Sequence, residues 1–421
     1  MGWIVEPEKK IPVVEEADLL VCGGGVAGFA AAVCSARNGA KVLLLEKYGF
    51  LGGLVTGALV LTIPPLNNGF NLELGERLKK VNSYAPLRDA GEDIRHHQLH
   101  AIDPEILKYE MVQILKEEKV RLLLHTYVTN SIVEDQQIKG VIIESKAGRQ
   151  AVLAKLVVDA TGDGDVSALA GAQYEMSDPP LPVTMMFTMV GVNTQRVLSK
   201  IGNWSNLRKF VEEGIRNGKL NFDLELYSKN KAPGVHAETL LYPDQLNVWA
   251  GSLGGINALN PKELTQAEII TREHSMRLAS FLKKNLEGFE NSRIECTSAQ
   301  VGVRETRRIV GGMSPSLEEV NAGKFENTVA KPYAHDEMRV PYSSLLPRGV
   351  ENLLIAGRCI SVKQDALVKL RLVPACLATG QAAGTAAALA LREGIAPREL
   401  NVTSLQKTLI GQGVDFKQEV R

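Results

Sequence analysis

Apolar and polar positions change period twice within the first fifty residues. Leu19, Leu20, Val21 and Cys22 form an unbroken apolar run, as in a strand covered on both faces. Glycines follow, then small apolar residues at helical spacing over 26–36, then a second apolar run over 42–45 that stops at Glu46. The pattern predicts strand, glycine turn, helix and strand. Further on, Asp103-Pro104-Glu105 supplies an N-cap, a proline for the first helical position and an acid for the first turn. Ile106, Leu107, Met111, Ile114 and Leu115 continue that helix to about Lys119. A short strand is expected at 121–124. Segments 127–133, 140–144 and 150–153 alternate and predict a three-stranded meander with polar turns at 134–136 and 146–148. Leu156, Val157 and Val158 read as a separate buried strand leading into Asp159-Ala-Thr-Gly-Asp-Gly-Asp165.

From about Pro179 to Cys296 the pattern changes to strand-like runs, 185–190 and 246–250, among polar stretches, with a long helix over 265–284. This predicts an inserted second domain. Because 352–357 again reads as a buried strand, the expected division is 1–178 with 297–421 in one domain and 179–296 in the other. The stretch from Gly49 to about His100 reads as a long irregular segment, a length that usually covers a ligand.

The chain has 421 residues with 48 basic and 48 acidic side chains, so its formal charge is zero and nothing favours a nucleic-acid or anionic-membrane partner. Five cysteines, Cys22, Cys34, Cys296, Cys359 and Cys376, are an odd number without a C-x-x-C pair. That opposes a disulfide scaffold, a zinc ribbon, an iron–sulfur cluster and a dithiol centre. Their apolar neighbours predict buried, reduced thiols. The first 18 residues carry charges every few positions, so no signal peptide is expected. Segment 375–391 is Ala/Gly-rich, broken by Thr379, Gln381 and Thr385, and too weakly hydrophobic for a membrane span. The expected location is the cytoplasm.

Gly23, Gly25 and Gly28 fit G-x-G-x-x-G, and Glu46 lies 23 residues after Gly23, where a carboxylate can meet a ribose hydroxyl. The bare glycine motif is a weak signal; the complete strand–turn–helix–strand–acid unit is a strong one. Three other segments bear on which dinucleotide is bound. Gly52-Gly53 lets backbone lie against a ring or phosphate, although a simple turn would look the same. Gly162-x-Gly164-x-x-Ser167 imitates a second nicotinamide turn, but 183–190 offers no ribose acid, so the segment reads as a loop closing over the first dinucleotide. Finally, 352–361 followed by 371–384 joins a strand at Gly357-Arg358 to a small-residue helix starting near Pro374. Such a helix can direct its N-terminus at an anion or simply pack tightly.

Together CGGGVAGFAAA with Glu46, LGG at 51–53, VVDATGDGDVSALAGA, GVRETRRIVG and ENLLIAGRCIS…RLVPACLATGQAAGTAAALA resemble the FAD-dependent oxidoreductases of the glutathione-reductase-type fold, among them succinate dehydrogenase/fumarate reductase-like flavoproteins. The resemblance spans nearly the whole chain. It implies an α/β architecture: a Rossmann-like FAD-binding domain, with a parallel sheet plus three-stranded β-meander, and an inserted α+β substrate domain. It implies extended FAD, with the ADP half on Gly23, Gly25, Val26, Ala27, Gly28, Glu46, Lys47 and Val128. Gly52, Gly53, Ala160, Thr161, Gly162 and Asp163 would follow the cofactor toward its ring. Gly357, Arg358, Pro374, Gly380, Gln381 and Ala382 would complete the site. Relatives often carry a His–acid pair where this chain has Gln364-Asp365, and no histidine precedes Gly52 for a covalent link, so non-covalent FAD is expected.

Arg371, just before the Pro374 helix, is the expected cation near flavin or substrate, with an ion pair to Asp365 as the competing role. Arg304, Arg307 and Arg308 surround Glu305, either as a solvated ion-pair face or with Arg304 anchoring a carboxylate. His96, His97 and His100 lack a carboxylate or cysteine at ligand spacing, so no metal is expected. The resulting reading is hydride transfer between a small organic substrate, carboxylate-bearing if the arginines bind it, and flavin N5. The second redox partner and the oligomeric state stay open. The alternatives are a nicotinamide-dependent dehydrogenase and a non-catalytic flavin-binding, redox-sensing protein.

Overall fold

A computed structural model describes residues 2–88, 99–222 and 234–416. Strand β1 (Val13–Cys22), helix α1 (Val26–Arg37) and β2 (Val42–Leu45) form the expected opening unit. Helices α2 (Phe70–Lys80) and α3 (Pro104–Glu117) precede β3 (Arg121–Leu123), β4 (Tyr127–Glu134), β5 (Gln137–Ser145) and β6 (Gly148–Asp159). A second group comprises β7 (Met186–Val190), β8 (His236–Thr239), β9 (Leu246–Trp249), α4 (Pro261–Asn285) and β10 (Arg293–Thr297). Strand β11 (Leu353–Ile355) and helices α5 (Gln364–Leu370) and α6 (Val373–Glu393) then return to the first sheet.

That sheet has seven strands in the order β3-β2-β1-β6-β5-β4, with β11 on the free side of β6. Strands β1, β2, β3, β6 and β11 run parallel, whereas β4, β5 and the first half of β6 form the antiparallel meander. The pattern predicts two strands over 150–158; the structure has one. The first half of β6 is covered on one face and alternates, while its last four residues are covered on both and read as an apolar run. The change of period imitates a boundary.

Segment 49–100 also departs from the irregular stretch expected. It holds α2, which buries Phe70, Leu74 and Leu78, and a small sheet of Thr62–Ile63, Tyr84–Pro86 and His100–Ile102. Four-residue spacing of those apolar side chains was the overlooked signal. Helix α4 starts before 265 because the Asn260 side chain caps it at Lys262 N and Pro261 fits the first position.

The second sheet is antiparallel, in the order β8-β9-β7-β10. One face carries Ala237, Val248, Phe187 and Met189 into a core shared with Leu278, Phe281 and Leu282 of α4. The other face carries His236, Glu238, Asn247, Trp249 and Met186 toward the first sheet's loops, where Asn247 Nδ2 donates to the Leu59 carbonyl at 3.1 Å. Four cysteines are buried as expected; Cys296 is exposed because β10 is an edge strand. Among the described residues no single helix is long and apolar enough to cross a membrane, and 374–390 of α6 are buried.

Helices α1 and α6 approach with almost no side chain between them. A Cβ on Gly380 would overlap the Ala27 carbonyl oxygen, and one on Gly384 that of Ala31. Gly384→Val should therefore cost about 1–3 kcal/mol through overpacking. A melting temperature equal to that of the wild type would show that the helices can separate freely.

Candidate functional site

The opening turn is built by contacts that leave no room for side chains. Gly23 has φ +104°, and a Cβ there would overlap the Ala160 carbonyl, so loop 160–165 lies directly on the turn. Gly28 lies so close that a Cβ would overlap the Gly23 oxygen. Gly25 is the N-cap of α1 and supplies no side-chain acceptor, leaving the helix's amide end available to an anion. Gly52 N donates to Gly24 O at 2.9 Å, and a Cβ on Gly53 would stand 2.9 Å from Gly25 Cα. Glu46 is buried at the end of β2; its carboxylate accepts from Gly24 N at 2.6 Å and Tyr48 N at 2.9 Å. A pocket of about 50 Å³ opens here, lined by Gly23, Glu46, Lys47, Val128, Thr161 and Asp165, with Thr126 and Tyr127 beside them.

Loop 160–165 is folded around one carboxylate. Fully buried Asp159 accepts from Thr161 N and Oγ1 at 3.1 and 2.7 Å and from Ser167 N and Oγ at 2.8 and 2.7 Å. Thr161 Oγ1 in turn accepts from Asp165 N at 2.9 Å, so its hydroxyl shapes the loop. Asp163 accepts from Thr306 Oγ1 at 2.7 Å and Arg358 Nη2 at 3.0 Å. Burial alone would raise its carboxyl; Arg358 and Thr306 instead hold it below the ordinary value. Arg358 extends across Gly162, where a Cβ would lie 2.7 Å from Nη2. A Cβ on Gly357 would lie 2.9 Å from Ala27 Cβ, which sets the end of β11 against the start of α1. Arg358 Nη1 is buried without a hydrogen-bond partner.

The arginines divide into two sets. Arg308 pairs with buried Glu305, which also accepts from Ser177 Oγ, Leu181 N and Gln364 Nε2 at 2.6, 3.0 and 2.9 Å. Arg307 reaches Asp165 at 2.8 Å and lies over Tyr174. The Arg308 pair is interior and the Arg307 pair half-buried, so neither forms the fully solvated face that was one of the two expectations. Among the described residues Arg304 donates only to neutral acceptors, Pro182 O and, at 2.7 Å, Thr184 Oγ1. Arg371 makes no side-chain hydrogen bond or ion pair with any described residue, and its Nε is buried. The competing pair with Asp365 does not form: that carboxylate accepts from Leu317 N at 3.1 Å and Ala366 N at 2.8 Å. Burial and the neighbouring cations push Arg304 and Arg371 each down to about 10; Arg371 opposes Arg304, and Arg358 opposes Arg371. A second cavity, of about 310 Å³, opens beside Glu305 and Thr306 between 176–180 and 255–258.

The structure thus brings together Gly23, Gly25, Val26, Ala27, Gly28, Gly52, Gly53, Ala160, Gly162, Asp163, Gly357 and Arg358, with Arg371 and Arg304 beyond them. It does not bring Gly380, Gln381 and Ala382 to the cleft. Gly380 is pressed on the Ala27 carbonyl; Gln381 accepts from Phe70 N at 3.0 Å and donates to Gln412; Ala382 has no exposed surface. A helix made of small residues can meet either a cofactor or another helix, and the neighbour decided. Pro374 occupies the first turn of α6, its carbonyl accepting from Asn71 at 3.0 Å. Thr306 was missed although it lies inside the RETRR motif, and Tyr127 although it starts a recognised strand. His100 stacks on Tyr84, and burial lowers its pKa; His96 and His97 lie outside the described residues. Among the described residues no group of three His, Cys, Asp or Glu could hold a metal.

The donor set suits an extended dinucleotide: a buried acid beside the glycine turn, an open helix N-terminus, and guanidinium groups that form no ion pair among the described residues. The family described as FAD dependent oxidoreductase matches residues 18–409. The tRNA uridine 5-carboxymethylaminomethyl modification enzyme MnmG of Bacillus subtilis is 33% identical over 156 residues, 34% of this chain and 24% of that protein. Digeranylgeranylglycerophospholipid reductase 1 of Methanococcoides burtonii is 26% identical over 189 residues, 42% of this chain and 46% of its own. The matches therefore span about a quarter to a half of these relatives' length. The fold is similar to a geranylgeranyl bacteriochlorophyll reductase-like protein of Thermoplasma acidophilum, with TM-score 0.54, 14% identity, and 95% and 84% of the two chains covered. It is also similar to p-nitrophenol 4-monooxygenase of Pseudomonas putida, with TM-score 0.53, 12% identity and coverage of 95% and 85%. Nicotinamide as the ligand of the Gly23 turn and a purely non-catalytic role both give way to this match, and the chain belongs to the FAD dependent oxidoreductase family, an enzyme with FAD as its cofactor.

Proposed function

We propose that the protein moves a hydride between flavin N5 and a small anionic organic substrate. The observation that carries this reading is the pair Arg304 and Arg371, two half-buried guanidinium groups that oppose each other and form no ion pair with any described residue. A cation partly withdrawn from water without an ion-pair partner costs stability, so its persistence points to an anion supplied from outside the chain. Bound FAD supplies the electron-accepting ring and the redox chemistry. Glu46 would accept from the ribose hydroxyls, and the amides of Val26 and Ala27 would face the pyrophosphate. Arg358, held by Asp163, would stand beside the chain that leads to the ring. Arg371 and Arg304 would fix the substrate's negative group, and segment 179–296 would cover the cleft and exclude water. The cavity beside Thr306 would be the way in.

Three outcomes are expected. FAD should co-purify and be released by acid precipitation; colour left in the pellet would indicate a covalent link. Glu46→Ala should weaken FAD by ~10–100-fold, the loss of a charge-assisted hydrogen bond, as read by titration of the apoprotein. Unchanged affinity would make Glu46 merely a brace for Gly24 and Tyr48. Arg371→Met should keep FAD and keep or raise the melting temperature, because a half-buried cation without a hydrogen-bond partner among the described residues is removed. The same variant should weaken 4-methylbenzoate, followed by flavin absorbance, by ~10–100-fold. A large drop in melting temperature with intact 4-methylbenzoate binding would make Arg371 structural.

A further inference from the structure

The loop that meets the dinucleotide turn contains a residue in a conformation its side chain disfavours. After Gly53 the chain makes a short helix, Leu54–Gly57, with Ala58 as its C-cap. The next residue, Leu59, has φ +55°. Glycine is the usual choice at that position, because a bulky side chain crowds the backbone in the left-handed region. Leu59 is buried in the first core, so its side chain packs while its backbone is strained. Such a conformation persists only where the surroundings over-determine it.

Part of what holds it comes from the second sheet. Leu59 O accepts from Leu61 N at 2.8 Å within the loop and from Asn247 Nδ2 at 3.1 Å across the boundary. Asn247 lies on β9, which has a paired strand on each side, and none of its surface is exposed. Its place is therefore set by the sheet and not by the loop. Asn247 Oδ1 is buried without a hydrogen-bond partner, so the side chain costs stability at one atom and returns it at the other, through Leu59. Further bonds grip the same loop. Ala299 N and Gln300 N both donate to Gly57 O, at 3.0 and 3.3 Å, and Thr62 Oγ1 donates to Glu238. At its other end the loop is seated on the dinucleotide turn through Gly52 N to Gly24 O and the contact of Gly53 with Gly25.

We propose that Asn247 is a positioning residue for FAD. By holding Leu59 at positive φ it keeps the Gly52-Gly53 loop seated on the dinucleotide turn, so the second sheet sets part of the cofactor's affinity. Without that bond the turn relaxes toward negative φ, and Gly53, only six residues away, shifts with it. FAD then binds the fraction of molecules whose loop is seated, and its apparent affinity falls by that fraction. The assignment needs FAD alone and is independent of the substrate proposed above.

The test titrates the full-length apoprotein with FAD. Asn247→Leu, similar in shape and free of the unpaired oxygen, should keep the melting temperature and weaken FAD by about tenfold, the worth of the lost hydrogen bond. Leu59→Gly alone should bind FAD as the wild type does, because glycine holds positive φ without help. In the Leu59→Gly background, Asn247→Leu should change FAD affinity by less than about twofold, the coupling expected if the two residues act as one device. Val248→Ala, on the opposite face of β9, should lower the melting temperature and leave FAD affinity unchanged, which separates positioning from lost packing. If Asn247→Leu does not fold, Asn247→Ser, too short to reach Leu59, takes its place. Unchanged FAD affinity in a folded Asn247 variant overturns the proposal. An equal loss of affinity with and without Leu59→Gly overturns it too, since Asn247 would then act by another route.

Discussion

The close approach of α1 and α6 is the constraint on which the site depends. Ala27 and Ala31 present backbone carbonyls where Gly380 and Gly384 present no side chain. The two helices can therefore share one layer beneath the sheet. This places the first turn of α6 and the preceding Arg371 near the N-terminus of α1, although more than three hundred residues separate them. The same proximity puts Gly357 on Ala27 and draws Arg358 over Gly162. One packing contact thus assembles a turn from the start of the chain, a loop from its middle and a strand end from its last third.

Around that contact the polar groups follow two rules. Asp159 and Glu305 are buried acids whose oxygens are used up by neighbouring N–H and O–H groups, and each holds a loop in one shape. Such networks are stable because little is left unpaired. Arg304, Arg371 and one nitrogen of Arg358 obey the opposite rule: half-buried or buried, cationic and incompletely matched among the described residues. The satisfied acids act as struts that hold the unsatisfied cations in position. A binding site for an anion needs both, since a mobile scaffold would let the guanidinium groups escape to solvent or to one another's counter-ions.

The second sheet divides its roles by face. Alternation along β7, β8 and β9 sends Phe187, Ala237 and Val248 into one core and Met186, His236, Glu238, Asn247 and Trp249 toward the dinucleotide loops. A sheet half-buried in its own core is rigid, so the polar side chains on its other face are held at fixed spacing over the cleft.

The sequence alone determined whatever depends on neighbours in the chain. Gly23, Gly25 and Gly28, with a strand before and Glu46 after, specify a local unit, and the capped start at Asp103-Pro104 specifies another. It also marked the arginines as the cations of interest, because RETRR stands out by composition and Arg371 by its place three residues before Pro374. Tertiary structure decided what those residues face. It separated Arg307 and Arg308, matched by Asp165 and Glu305, from Arg304 and Arg371, which are not. It gave Gly380, Gln381 and Ala382 to helix packing, since a small residue records only that something comes close. Pairing between side chains far apart in the chain is set by register and helix contact, and no local pattern encodes it.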